Sequence, residues 1–592
     1  FTRLYLRGFY QLFFSIMPTL LNQNLSRRNQ LGARSFVEVK FLRDFKFTPS
    51  ISIDIRNNNN NVYWNPTVGD GQTQKGYKSQ NNSTITSYTF NQILSYDKQI
   101  QDHTISVLAG HENYDYNYRI FSASRTQLNL EGNTEFANFV NNNSSAGQAD
   151  NDRIESYFSK LAYNFNEKYF FDASLRTDGT SRFSRDARWG VFYSLGATWA
   201  VNKDFFKEVQ WLDDLRLKAS YGEVGNNALD GYYLDRAFYD LGWNNGVEPG
   251  ALLISAANPA LKWESQNTLN TGISFSLFKH RLSGEVEFFR KNVDDLLFSV
   301  PQPLSDPVTT IQQNVGSMYN QGVEIMLSGD IVRSAGFKWS VITTATFLKN
   351  RVTKLPAETP TIISGTKRRE VGYDYYQFWL RQYAGVDPTD GAALYVPDTT
   401  TTIAASAKRT VNGVEYVTVQ SNALYARSGT AIPDMMGSLS NTLTYMNLSL
   451  SFLLNYQIGG KFYDGVYGGL MGGASYGGAL HKDLLNAWTP ANTNASIPRY
   501  DVGNTNNINA ASTRWLVDAS YLAVRNVSLS YNLPKSVLSR LDIQSARVFV
   551  TGENLHIFSA RKGLNPTESF DGTNANVFPQ ARILSIGINA SF

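Results

Sequence analysis

The chain of 592 residues contains no cysteine, which excludes disulfides and thiolate metal sites and leaves the compartment open. Histidine is scarce too: His103, His111, His280, His481 and His556 are the whole set, and none stands at metal-ligand or nucleophile–base spacing. No metal, cofactor or catalytic residue is expected, and the chain does not read as an enzyme. An excess of one charge is also missing. The 54 basic and 50 acidic residues leave +4, with no basic patch of the kind that binds nucleic acid. Finally, no apolar run reaches the ~18 residues of a spanning helix. The oiliest early stretch, "FYQLFFSIMPTLL" (9–21), is too short and carries Pro18. Arg3 and Arg7 precede it, but no small-residue cleavage site follows, so a strand or a fragment edge is expected there rather than a signal peptide. If this chain crosses a membrane, a closed barrel of strands is the remaining route.

What is present is alternation. The chain ends in "ARILSIGINASF", in which Leu584, Ile586, Ile588, Ala590 and Phe592 fall on one side of an extended ribbon and Ser585, Gly587, Asn589 and Ser591 on the other. Such ribbons, oily on one face and wet on the other, average to the slightly polar mean hydropathy of −0.31 despite 42% hydrophobic and 13% aromatic residues. No Pro-rich, Ser-rich or charged linker divides the chain, so residues 32–592 read as one body and 1–31 as an uncertain N-terminal edge.

Side-chain parity tests the hairpins. In "NTLTYMNLSLSFLLNY" Leu443 and Tyr445 are odd-numbered and Leu448, Leu450, Phe452 and Leu454 even-numbered, as a two-residue turn at Met446 and Asn447 requires. The same switch occurs in "SFSLFKHRLSGEVEFF", read as a two-residue turn near His280. A three-residue turn at 166–168 should keep parity, and Leu161, Tyr163 and Phe165 are followed by Phe171, Ala173 and Leu175. Short turns are placed near 42–44, 99–102, 166–168, 204–211, 279–281, 332–336, 387–391, 446–447 and 534–543. Long polar loops fall near 57–83, 117–152, 177–188, 223–266, 294–317, 351–374, 398–432, 459–518 and 559–579. Alternating short and long connections mark an outer-membrane barrel, with short periplasmic turns and long extracellular loops, and about nineteen strands are counted from residue 32 onward. Trp189, Trp199, Trp211, Trp339 and Tyr531 recur near strand ends, where an interfacial girdle would stand.

The loops carry no complete chemical motif. "GVDPTDGAALYV" (385–396) offers Asp387 and Asp390 without the rest of a calcium series, and Pro388 and Gly391 make it a tight turn, read as a periplasmic hairpin. "SYGEVGNN" and "GGLMGGASYGG" lack the Lys-Ser/Thr of a phosphate loop. Aromatic rings do stand beside amides, in "NVYWN", "LGWNNG", "YDGVYGG" and "LLNAWTPANTN". Tyr63, Trp64, Trp243 and Trp488 are therefore the candidate contacts for a sugar or peptide substrate with one apolar face.

Several blocks together resemble the SusC/RagA family of TonB-dependent outer-membrane transporters. They are "SLRTDGTSRFSRDARWGVFYSLGATWAVNKDFF" (174–206), "LRLKASYGEVGNN" (215–227), "NPALKWESQNTLNTGISFSLF" (258–278), "NQGVEIML" (320–327), "YAGVDPTDGAALY" (383–395), "RWLVDASYLAVRNVSLSYNLP" (514–534), "ARVFVTGENLHIFS" (546–559), "GLNPTES" (563–569) and the closing ribbon. The resemblance implies an all-β transmembrane antiparallel barrel of about twenty-two strands with a plugged lumen; the plug would lie upstream of Phe1, and the first few strands either lie there too or are misread in residues 1–31. It implies an active importer of oligosaccharides or oligopeptides in the outer membrane of a Gram-negative bacterium. Energy would come from TonB–ExbB–ExbD through the plug, and a SusD-like surface lipoprotein would be the partner. Leu584, Ile586, Ile588 and Phe592 would form the C-terminal signal for the barrel-assembly machinery. A passive porin-like channel and a soluble or surface carbohydrate-binding β-protein are the alternatives.

Overall fold

The computed structural model describes residues 17–228, 231–246, 248–303, 305–472, 478–500, 508–539, 543–574 and 577–592. Eighteen of its strands belong to one large antiparallel sheet, and no helix among the described residues is long and apolar enough to cross a membrane. Contacts divide the chain into two compact units.

The first unit comprises Phe1–Leu195, Glu223–Glu264 and Leu297–Asn314. Gln23–Phe36 and Val39–Phe41 lie end to end along Phe45–Trp64, which pairs with Tyr77–Ile100; His103–Leu128, Phe139–Phe165 and Tyr169–Thr180 follow in order. One row across four of these pairings reads Phe45, Tyr96, Val107, Leu161 and Ala173. The row beside it carries Asp97, Ser106, Ala162 and Asp172. Period-two alternation has sorted an apolar face from a polar one.

These strands are long. Phe45–Trp64, Tyr77–Ile100, His103–Leu128 and Phe139–Phe165 have 20, 24, 26 and 27 residues, where ~10 tilted residues span a bilayer. Part of the surplus, from Asn57 to Asn61 and from Gln80 to Thr84, is polar on both faces. Arg28 Nε donates to Asn58 Oδ1 at 3.1 Å, Asn58 donates on to Ser83 Oγ at 3.2 Å, and Ser26 Oγ donates to Asn60 Oδ1 at 2.6 Å, so side-chain amides continue the cross-strand pairing. The segments read as loops at 57–83 and 117–152 are mostly these strand tips; the connections are only 65–76 and 129–138. A strand tip wetted on both sides has no alternation to display.

The second unit comprises Gly196–Gly222, Ser265–Leu296 and Val315–Phe592. Its neighbours are Glu264–Leu277 with Leu282–Asp294, then Ser317–Arg333, Phe337–Lys354, Met435–Tyr445, Leu448–Ile458, Tyr521–Asn532, Ser545–Ser559 and Ile583–Ser591. Tyr445 sits opposite Leu448, and in the first unit Phe165 opposite Tyr169, as parity required. The turn near His280 is longer than read: Leu277 pairs with Leu282 across four residues, which switches parity equally well.

Three readings need correction. Residues 17–21 are helical rather than extended, and the 31/32 boundary falls inside Gln23–Phe36, whose polar "NLSRRNQ" shows no alternating pattern; residues 1–16 lie outside the described ones. The turn at 387–391 is no periplasmic hairpin of the large sheet. It joins Tyr383–Val386 to Ala393–Tyr395 in a small separate sheet, because Phe337–Lys354 pairs directly with Met435–Tyr445. The whole of 355–434 is one connection. Lastly, the two length classes overlap, since the turn side includes 201–211 with its short helix Asn202–Phe205, while 181–188 is a loop.

Candidate substrate-facing loop layer

The 355–434 connection begins with a hairpin, Thr361–Ser364 with Lys367–Glu370, and runs into Gln377–Arg381, which pairs with Tyr425–Thr430. Alternation in "QFWLR" turns Phe378 and Leu380 inward and Trp379 and Arg381 outward. Phe378 and Leu380 form a core with Ala431, onto which Tyr376, Tyr463 and Leu516 pack. Tyr463 and Leu516 come from the next connection, 459–520, where Lys461–Tyr463 pairs with Leu516–Asp518. A second core joins Ala393, Tyr395, Val417 and Ala423 to Ile508 and Ala510. Burial of apolar surface between connections far apart in sequence makes them one folded layer.

Asp464 ties in a third connection, 560–582. Its carboxylate is 1% exposed and accepts from Arg561 Nε at 3.0 Å, Arg561 Nη2, the Tyr467 N–H at 3.1 Å and Asn574 Nδ2 at 2.7 Å. The Tyr467 hydroxyl donates to Asp483 Oδ2 at 2.8 Å; burial, then that hydrogen bond, pushes its pKa up to about 12.

The outward face of the layer interleaves guanidinium groups and rings. Arg368 lies 4.2 Å from the Trp379 ring centre, Arg381 4.7 Å from Tyr425, and Arg427 3.8 Å from Tyr373, while Glu370 bridges Arg368 and Arg427. Trp379 and Tyr425 are near parallel, 17° apart with centroids at 6.3 Å. Such a strip offers fixed donors beside apolar ring edges and suits a polar oligomer better than an inert wall would. No group of acidic or imidazole side chains placed to hold a metal occurs among the described residues.

Residues 10–555 match the family described as TonB dependent receptor-like, beta-barrel. The chain belongs to that family. Its barrels are outer-membrane proteins. The chain is 26% identical over 565 residues to a TonB-dependent receptor of Formosa agariphila, covering 88% of this chain and 53% of the relative. It is 26% identical to TonB-dependent receptor SusC of Bacteroides thetaiotaomicron, covering 86% and 51%. A solved structure titled as the RagAB peptide transporter matches with a TM-score of 0.85 at 26% identity, over 97% of this chain and 63% of that one. The same importer in its "open-open" state matches at 0.81. The chain thus spans between half and two thirds of the length of these relatives.

In this TonB-dependent receptor barrel three of the four candidate contacts, Tyr63, Trp64 and Trp243, belong to the first unit and Trp488 to the second. Tyr63 is 7% exposed and meets the Phe139 ring edge-on at 6.3 Å; Trp64 stacks at a tilt on its cross-strand partner Tyr77, 4.6 Å away. Trp488, also 7% exposed, roofs the turn at Gly391, and its Nε1 donates to the Pro388 carbonyl at 3.0 Å. Trp243 alone among them is well exposed, on the hairpin Phe238–Asn245/Glu248–Ser255, with Nε1 donating to Asp240 Oδ2 at 3.0 Å. The rings of Tyr63 and Trp488 are occupied in packing.

Sequence reasoning missed the arginine–aromatic strip. Its signal was legible in "KRREVGYDYYQFWLR" (367–381), where cations and rings alternate with core residues. Leu584, Ile586 and Ile588 are exposed along Ile583–Ser591, as are Ser585 and Asn589 on its other face, and Phe592 follows, 82% exposed.

Proposed function

We propose that this chain is the barrel of an active outer-membrane importer of oligopeptides or oligosaccharides in a Gram-negative bacterium. Import would be energised through TonB–ExbB–ExbD acting on a plug domain, in concert with a SusD-like surface lipoprotein, and the chain would carry no enzymatic activity of its own. The observation that carries the reading is the pairing of a two-faced sheet with a folded loop layer. A passive pore needs only the first. A receptor that captures scarce solute needs a shaped, partly rigid surface, which the cores at Phe378 and Tyr395 and the Asp464 tie supply. The match to a protein titled as a peptide importer and to SusC supports the same class. Trp243 and the half-buried Trp64 in the first unit, and the Arg368–Trp379–Tyr425–Arg381 strip in the second, are each proposed as solute contacts, while Tyr63 and Trp488 pack the loops of their own units. Leu584, Ile586, Ile588 and Phe592 are the proposed signal for the barrel-assembly machinery.

The test is uptake of labelled oligopeptides and oligosaccharides by cells expressing the full receptor with its neighbouring lipoprotein, with and without TonB. Accumulation that collapses without TonB supports the importer. Uptake that persists unchanged identifies a passive channel, and a protein soluble without detergent overturns both.

A further inference from the structure

A bulge in the wall turns a cation toward the 560–582 connection. Leu453 lies opposite Asn526 and Leu454 opposite Val524, so Arg525 is an extra residue with no partner on Leu448–Ile458. Asn526 and its partner Glu553 continue the polar face of Ser528 and Thr551. Bulges re-aim side chains, and Arg525 Nη1 donates to Gln580 Oε1 at 2.9 Å and to Asn554 Oδ1 at 3.4 Å. Arg525, Asn554 and Gln580 line one open cavity of about 340 Å³, and Lys562 and Arg582 of the 560–582 connection line it with them. Ala523, Leu555, Ile557 and Leu564 supply its apolar walls. Among the described residues no carboxylate lines this cavity, and none of Arg525, Lys562 and Arg582 forms an ion pair, whereas the adjacent Arg561 is held by Asp464.

Like charges gathered against apolar walls focus a positive field, which draws in an anion. The cations reach water, so folding demands no counter-ion; what the cavity offers is recognition. Its volume stands at the lower end of ligand pockets, ~300–1,000 Å³, and suits one end unit of an oligomer. A guanidinium receives a carboxylate through two parallel N–H donors, and the Asn554 and Gln580 amide oxygens hold Arg525 in place for it. We propose that Arg525, Lys562 and Arg582 bind a carboxylate on the imported oligomer, so that this receptor prefers acidic solutes: oligopeptides through their terminal carboxylate, or oligosaccharides through uronic acids. A second cavity, of about 180 Å³, follows along the same strand and connection, for Tyr521 and Pro566 line it where Ala523 and Asn565 line the first. It sets Gln457, Thr567 and Ser569 beside Phe570, while its Lys461 faces Asp518 at 3.9 Å, and it suits a neutral neighbouring unit. The preference rests on the importer reading above and narrows its solute.

The experiment titrates the full receptor in detergent, by calorimetry at low salt, with two matched pairs of probes: acetylated tri-alanine against its C-terminal amide, and trigalacturonate against its methyl ester. In at least one pair the acid should bind roughly tenfold more tightly than its neutral twin, the yield of one charge-assisted hydrogen bond. Added salt should erode the difference. The pair that shows it tells peptide from sugar. Arg525→Gln, Lys562→Gln and Arg582→Gln should each lower the acid-to-neutral ratio, and the triple variant, checked for heat-modifiability, should abolish the preference. Equal affinities within both pairs, no binding of either acid, or a preference that survives the triple variant overturns the proposal. TonB-dependent uptake is measured separately, so a receptor that imports only neutral oligomers keeps the importer reading and loses this one.

Discussion

Ile586 on the last strand lies directly opposite Val550, and the row continues through Leu529, Leu450 and Leu443 to Trp339, whose indole N–H turns to Asn441 Oδ1 at 3.1 Å. One residue along, Ser585, Thr551, Ser528, Ser451 and Thr442 make the corresponding polar row, with the Ser528 and Thr551 hydroxyls 2.9 Å apart. Ile586→Arg therefore places a cation on the lipid face at a cost of about 2–4 kcal/mol near the midplane, and Ser585→Arg places it in the wet interior. The first should fold into membranes poorly and the second well, as read by the fraction that is heat-modifiable on gels. Equal yields would refute the face assignment. Asn589, the interior position suggested by alternation alone, is a poorer control because it faces Arg547, and a second cation there meets like charge.

Gly587 is the point where the interior face of the final ribbon accepts Phe549 from its neighbour. A Cβ at 587 would lie 2.5 Å from Phe549 Cζ, so the ring covers the glycine and takes the place of a side chain. Gly587→Ala should destabilise the barrel by about 1–3 kcal/mol through overpacking. Adding Phe549→Leu should recover part of that loss, which a double-mutant cycle on the temperature of barrel unfolding would measure.

The rows could be read from sequence because one covalent fact, the period of two, decides which face each residue occupies. Tyr445 with Leu448 and Phe165 with Tyr169 needed no tertiary knowledge. Two things were hidden. Strand tips standing in water, such as Asn57 to Asn61, carry amides on both faces and look like loop. The 355–434 connection contains short strands of its own, so its internal turn at Pro388 was mistaken for a turn of the wall; only the pairing of Thr346 with Met436 reveals that the wall closes behind it. The arginine–aromatic strip was hidden for a related reason, since Trp379 and Tyr425 are 46 positions apart and meet only after that sheet folds.

Lys367 gives the layer a pH dependence. Its amine is buried against the Phe378 ring without a hydrogen-bond partner, and burial drives its pKa down to about 7, with Asp571 opposing from the third connection. Folding thus favours the neutral amine, and the unfolded segment holds more protons between about pH 7 and the ordinary lysine range near 10.4. The contribution of Lys367 is most favourable above that range, falls as pH drops through it, and is lowest below about 7. Lys367→Met should make the 355–434 connection more resistant to protease at pH 7 and no different near pH 10.5. A variant less resistant at pH 7 would show that the amine has a stabilising partner.

Asp464 should be the most sensitive single position in the loop layer. Removing one member of a buried, hydrogen-bonded ion pair typically costs about 3–5 kcal/mol, because the remaining groups lose their acceptor. Asp464→Ala strands Asn574 Nδ2 and the Tyr467 N–H and leaves Arg561 with only the Tyr467 ring and a neighbouring carbonyl. Proteolysis at 560–582 and at 459–520 should rise together, while heat-modifiability of the barrel stays unchanged. If only one of the two segments becomes labile, the carboxylate does not couple them.

The wall and the layer should also separate genetically. Phe337–Lys354 pairs with Ser317–Arg333 along its length on one side, in unbroken register from Met318 opposite Val352 to Asp330 opposite Ser340, and with Met435–Tyr445 on the other, from Phe337 opposite Tyr445 to Thr346 opposite Met436. No residue of 355–434 lies in those pairings. After excision, Lys354 must still reach Met435, and the strand residues between their levels span roughly 25 Å at the ordinary rise. A Gly/Ser linker of about 20 residues has a root-mean-square span of about 25 Å and fits that gap. The shortened receptor should insert and remain heat-modifiable while losing TonB-dependent uptake, because the Arg368–Trp379–Tyr425–Arg381 strip is gone. Failure to insert would mean that the layer helps to build the wall, and retained uptake would remove the strip from the solute path.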